Sequence, residues 1–258
     1  KAVYVPTVLD NAVKEYIRMR DDIKQNLKSI KQQIIAFCTR NGFMYSESRY
    51  WTAKHIGWMK NLVFEDEILK ETLDEYMVEY NHLDDRISRF DKRIEELSQK
   101  EIYVDKVNRL KCFLGIKSHT ALSLIVETSD FARFNKGTDY GAWLGLVPMQ
   151  HASGDNDSRY GITKSGNSHL RKLLTEAAHA YTRGATGHKS KDLKQRQSLC
   201  SSEIVLYADS SNVRLRKKYQ NMIRKGKKHN VAVTAIAREL ACFIWGMMND
   251  HIEVNVKA

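Results

Sequence analysis

Apolar residues recur at alternating spacings of three and four from Val13 through Tyr16, Ile23, Leu27, Ile30 and Ile34 to Phe37, with Arg20 at one seam position. A second register, Leu69, Leu73, Tyr76, Tyr80, Leu83, Ile87, Phe90, Ile94 and Leu97, runs without a break. A repeat of 3.5 residues held this long predicts a coiled coil. Each helix would be roughly 45 Å long at 1.5 Å per residue. Asn41-Gly42 and the aromatic stretch Phe43–Phe64 separate them, so an antiparallel pair over residues 8–102 is expected. The pair either closes on itself within one chain or also provides a contact between copies. Tyr76, Tyr80 and Phe90 make the seam bulkier than a two-stranded zipper.

Beyond residue 102 the pattern becomes globular. Tyr103 to Thr128 reads as helix, tight turn and helix, centred on Phe113-Leu114-Gly115-Ile116-Lys117-Ser118. It is either a helix-hairpin-helix whose turn amides meet a phosphate or a packing hairpin. Lys117 stands where the motif has its second glycine. Five of the 13 glycines lie between Gly141 and Gly166, which predicts a glycine-rich loop. A helix follows Asn167 with Leu170, Leu173, Leu174, Ala177, Ala178 and Tyr181 on its buried face. The polar run Gly184–Ser202 is expected to be an exposed connection. Helices are expected around Val213–Ile223 and Val231–Met248, the latter with a core stripe. The fold class is mainly α, as two prolines in 258 residues also indicate.

Charge adds a direction. Residues 159–228 hold 17 Lys/Arg against 4 Asp/Glu, whereas the rest of the chain has 25 against 27. The whole basic excess lies in one window, which points to a polyanionic partner. Lys217, Lys218, Arg224, Lys225, Lys227 and Lys228 are its densest cluster, suited to phosphate contacts because they lack interleaved aromatics. Four scattered cysteines without a Cys-x-x-Cys pair argue against a zinc site or disulfide framework and for a reducing cytoplasm. The longest apolar run, Leu240–Met248, is too short to span a bilayer, and no membrane partner is expected.

The candidate chemistry lies in the glycine-rich stretch. Ser153 of the Ser153-Gly154 pair is the candidate nucleophile, and Arg159, Lys164 and Arg171 can neutralise charge on a phosphoryl group. Asn167 and Lys117 complete the candidate nucleic-acid contacts. His151 can accept a proton. Ser158, Thr163, Ser165 and Ser168 read as capping or phosphate-contacting hydroxyls, and Asp155 and Asp157 as solvated turn residues. No metal ligand is assigned in this chain.

The order of these elements resembles transposases of the insertion sequence 110 family, which includes Piv-type site-specific DNA invertases. The resemblance rests on the hairpin at Gly115-Ile116, Phe131-x-Arg133-Phe134, Trp143-Leu144-Gly145-Leu146-Val147-Pro148, Ser153-Gly154, Lys164-x-Gly166-Asn167-x-x-Leu170-Arg171, Lys225-Gly226-Lys227 and Ala235–Ala241. It implies an N-terminal RuvC-like domain whose four acidic residues bind magnesium, a coiled coil, and a transposase domain whose catalytic serine is Ser153 here. It also implies an oligomer, dimeric or tetrameric, in a bacterial or archaeal cytoplasm. A structured guide (bridge) RNA would pair with target and donor DNA, and strands would exchange through serine-phosphate intermediates. No RuvC-like strand pattern occurs in these residues, and residues 1–7 read as the tail of that domain. The expected organisation is therefore residues 8–102 for assembly and 103–258 for catalysis, with magnesium held outside this chain. Two other readings stay open: a non-catalytic nucleic-acid-binding and oligomerisation module, and a helix-hairpin-helix repair factor.

Overall fold

The computed structural model describes residues 6–153 and 156–252, and for residues 150–160 the backbone alone. Among them the fold is almost entirely helical. Two compact units emerge, Glu15–Arg93 and the combination of Lys1–Lys14 with Ile94–Ala258.

The first unit is built on two long helices, α1 (Val8–Arg40) and α3 (Glu67–Ser98), whose outer ends belong to the second. They run antiparallel: Tyr16 meets Phe90 at 4.5 Å between ring centroids, and Phe37 meets Tyr76 at 5.8 Å. Most of the seam read from the sequence packs inside this one chain, with Tyr16, Leu69, Tyr76, Ile87 and Phe90 half-buried. Ile23, Leu27, Ile30, Ile34, Phe37, Leu73, Tyr80 and Leu83 form a single apolar cluster. Arg20, the polar interruption of the heptads, is buried and grips Asp91 with two hydrogen bonds of 2.8 and 3.1 Å. A bidentate pair at a seam position fixes the register of the two helices.

The aromatic stretch between them folds around α2 (Ala53–Lys60), capped by Thr52, which accepts the His55 amide. His55 is 1% exposed and surrounded by the rings of Tyr45, Tyr50, Trp51 and Trp58. Its Nδ1 accepts the Trp51 backbone N–H at 3.1 Å, so the ring is neutral. Burial holds its pKa below the ordinary 6.5. Protons therefore bind the unfolded unit first. Stability should be complete above pH 6.5 and fall as pH drops through that value toward the depressed folded pKa. Denaturant unfolding between about pH 7.5 and about pH 5 checks this. His55→Gln, which keeps an acceptor for Trp51, should lose the dependence.

The second unit packs around α10 (His229–Met248). Its buried face, Val233, Ile236, Ala237, Leu240, Ile244 and Met247, is the expected stripe. The helix extends 20 residues and contains an 18-residue window of mean hydropathy 1.5, enough by length and composition to cross a bilayer. That differs from the short run read in the sequence, because Val231–Ala237 continues the apolar character. The burial of its core face identifies it as the central helix of this unit. Against it lie α4 (Glu101–Lys111), α6 (Gly137–Trp143), α7 (Ser168–Ala178) and α9 (Ser202–Arg224), while α5 (Ser118–Thr128) packs on α4 and α7. Gly137 lets α6 approach closely: a Cβ there would stand 2.9 Å from the Cys242 Cα.

Two expectations are corrected. The run 184–202 is not simply an exposed connection: it contains α8 (Lys191–Gln197), with Leu193 and Gln197 buried. Arg196 secures it by donating 2.6 Å hydrogen bonds to the carbonyls of Lys111 and Ile116. The glycine-rich loop is largely an antiparallel hairpin of β1 (Pro148–Ser153) and β2 (Asn156–Ile162).

Candidate nucleic-acid interface and nucleophile hairpin

Two glycine straps anchor the hairpin. Gly145 and Gly166 both adopt left-handed backbone, φ 69° and 76°. A Cβ on Gly145 would lie 2.0 Å from the Ser165 carbonyl oxygen, and one on Gly166 would lie 1.8 Å from that of Trp143. The strands' feet are laced by Lys164 N–H to Gly145 O (3.2 Å) and Thr163 N–H to Val147 O (3.0 Å). Arg171 braces both straps, its Nη1 donating to Leu144 O at 2.9 Å and Ser165 O at 3.1 Å. Ser153 ends β1, paired with Asn156, and Arg159 lies on β2 opposite Gln150. The side chains of Ser153, Arg159 and His151 lie outside the described residues.

Beneath the straps sits a group absent from the sequence reading. Glu127, its side chain 1% exposed, receives Asn167 Nδ2 at 2.5 Å and meets His169 Nδ1 at 2.6 Å. The available signal was a lone acid closing the apolar run Ala121–Val126, since a buried carboxylate requires partners. Asn167 also caps α7, its Oδ1 accepting the Leu170 amide at 3.0 Å. Asn167 and Arg171, expected at a phosphate, therefore already hold the straps and the start of α7.

The other candidate cations are placed differently. Lys164 is exposed at φ 55° between β2 and Gly166. Lys117 is exposed at the start of α5. In the preceding turn the Leu114 amide donates to Asn212 Oδ1 at 3.1 Å, and a Cβ on Gly115 would meet Ala177 O at 2.3 Å. Packing alone thus requires that glycine and uses one turn amide. Lys217 is exposed on α9, and Arg224, Lys225, Lys227 and Lys228 are exposed around its end. Lys218 and Arg214 pair with Glu239 on α10. Burial would raise the Glu239 pKa, but these two cations outweigh it and hold the carboxylate below its usual range. Among the described residues, no three His, Cys, Asp or Glu side chains are grouped to hold a metal ion.

Similarity to known proteins follows this architecture. Residues 107–194 match the model of the transposase IS116/IS110/IS902 family. The transposase for insertion sequence element IS1533 of Leptospira borgpetersenii is 31% identical over 86% of this chain and 64% of its own length. The y4qE protein of Sinorhizobium fredii is 30% identical over 96% of this chain and 60% of its own length. The transposase for insertion sequence element IS1111A of Coxiella burnetii is 30% identical over 49% of this chain and 35% of its own. The chain thus spans less than two thirds of the length of these relatives. Residues 107–194, running from the end of α4 through the hairpin into α8, form a transposase domain of the IS110/IS116 insertion-sequence family.

Proposed function

We propose that this chain is the assembly and nucleophile-bearing portion of an insertion-sequence recombinase acting on DNA. The observation that carries this reading is the placement of Ser153. It ends a strand whose feet are locked by two glycine straps, inside the segment that matches the transposase family. Anchoring the feet of the strand pair that bears a hydroxyl is one way to position a nucleophile.

In this reading the Ser153 Oγ attacks a DNA phosphodiester in line. An Oγ–P bond forms as the bond to the leaving sugar oxygen breaks. The serine proton is given up to a base, and the leaving oxygen is protonated. The resulting phosphoserine ester keeps the bond energy for rejoining. Lys164 and Arg159 offset phosphate charge, while Arg171 acts through the straps. The exposed cations at the end of α9 track nucleic-acid backbone, either DNA target and donor or the guide RNA that pairs with them. The described side chains offer no cluster suited to magnesium. Magnesium would supply charge neutralisation at the phosphate, and in this reading it is held by an acidic RuvC-like domain beyond this chain. Assembly into a dimer or tetramer in a bacterial or archaeal cytoplasm completes the proposal. The contact between copies would use the flanks of the long helices, where Tyr16, Leu69, Tyr76, Ile87 and Phe90 stay half-buried.

The test is a covalent protein–DNA adduct, formed by the full-length recombinase with its RNA and DNA and mapped by peptide mass spectrometry. The phosphoserine is expected at Ser153. An adduct at Ser158 or Ser165 would overturn the assignment.

A further inference from the structure

A cleft of about 830 Å³ opens at the foot of the hairpin. One wall is Leu146, Pro148, Gly161, Ile162 and Lys164; the other is a flank of α10 carrying Val231, Ala235, Arg238 and Cys242. This flank is distinct from the core stripe. It is open because Thr234 and Ala235 are small and face Thr138 of α6. The Arg238 stem lies beside Gly141 of α6, its Cγ 3.7 Å from where a Cβ would stand.

The lining has two chemistries. The floor is apolar, and the rim carries Lys164, Lys218 and Arg238 against one acid, Glu239, whose charge Lys218 and Arg214 offset. Asn230 and Val231, in the first turn of α10, edge the same opening, and amides at a helix start favour phosphate. A duplex presents sugar and phosphate outward and has no use for an apolar slot. An apolar peptide would have no use for the cationic rim. An unpaired nucleotide matches both, with its base against the floor and its phosphates on the rim. We propose that this cleft binds an unpaired nucleotide of a single-stranded segment of the nucleic acid on which the chain acts. The inference rests on the reading of the chain as a nucleic-acid-acting protein, and it adds the strandedness and seat of the substrate.

The test uses the 258-residue chain, a fluorescent single-stranded oligonucleotide carrying 5-iodouracil, and the matching duplex. Ala235→Leu adds bulk to the cleft without offering a stacking ring and should weaken single-strand binding by about tenfold, roughly 1.4 kcal/mol, with duplex binding little changed. Arg238→Gln, which removes charge without adding bulk, should weaken single-strand binding in the same sense, and circular dichroism confirms folding of both. The photo-crosslink should map to one of the two walls, residues 146–148 and 161–164 or residues 230–242. Binding of both forms that Ala235→Leu leaves unchanged or weakens alike, or a crosslink outside both walls, overturns the cleft assignment alone. Binding of neither form by the wild-type chain overturns the functional reading beneath it.

Discussion

Gly166→Ala is expected to unfold the second unit, or to lower its stability by more than about 4 kcal/mol. Two separate costs add at this position. The left-handed backbone charges any residue with a Cβ about 1–2 kcal/mol. The new methyl would also sit 1.8 Å from the Trp143 carbonyl oxygen, a backbone atom that cannot rotate away. Relief means separating the two straps, which breaks the Lys164–Gly145 and Arg171–Ser165 hydrogen bonds. Against a typical domain stability of about 5–15 kcal/mol, that is a large fraction. Gly187→Ala isolates the backbone term, because Gly187 has φ 82° and open space where its Cβ would go. It should cost only about 1–2 kcal/mol. Denaturant midpoints of the two variants decide the matter. Equal losses would mean that the close approach at Gly166 contributes nothing.

The long helices and the core faces of α7 and α10 were legible because periodic burial leaves a periodic sequence. Leu170, Leu173, Leu174, Ala177 and Ala178 are all buried as their spacing indicates. What escaped was specified by contacts distant in sequence. The first half of α9, with Asp209-Ser210-Ser211-Asn212, is rich in residues that compete with helix. It is helical because Ala208, Ser211, Asn212 and Leu215 are buried and Asn212 bonds Leu114, Tyr181 and Cys112. In α8, one apolar anchor, Leu193, is too little to show a period. The candidate site divides in the same way. Its glycines were visible as composition, but the reason for them, two straps crossing at backbone contact, exists only in three dimensions. Asn167 and Arg171 read as phosphate contacts from sequence, and the cap and brace they form were not legible there because those roles use the same polar chemistry as an anion site. Glu127 was hidden by distance: 40 residues separate it from Asn167.

Ser153→Ala should lower strand exchange by the full-length recombinase by about 10⁴-fold or more, with DNA affinity changed no more than about twofold. Removing a nucleophile deletes the covalent step itself, whereas removing one hydroxyl from a large charged interface deletes one small contact. The two quantities must therefore separate, and that separation distinguishes a nucleophile from a binding serine. The neighbouring hydroxyls supply the control. Among the described residues, Ser165 Oγ donates to Thr163 Oγ1 at 3.1 Å, and the contribution of Ser165 to the straps is its carbonyl, which alanine retains. Ser165→Ala should consequently exchange strands nearly as wild type. Gel-resolved cleavage and rejoining, measured beside equilibrium binding, gives both numbers for each variant. If Ser153→Ala still exchanges strands, the chain is a binding and assembly module and the chemistry belongs to the acidic domain. Affinity falling in step with activity would instead place Ser153 among the phosphate contacts. A selective loss at Ser153, with Ser165→Ala intact, is the result the strapped hairpin requires.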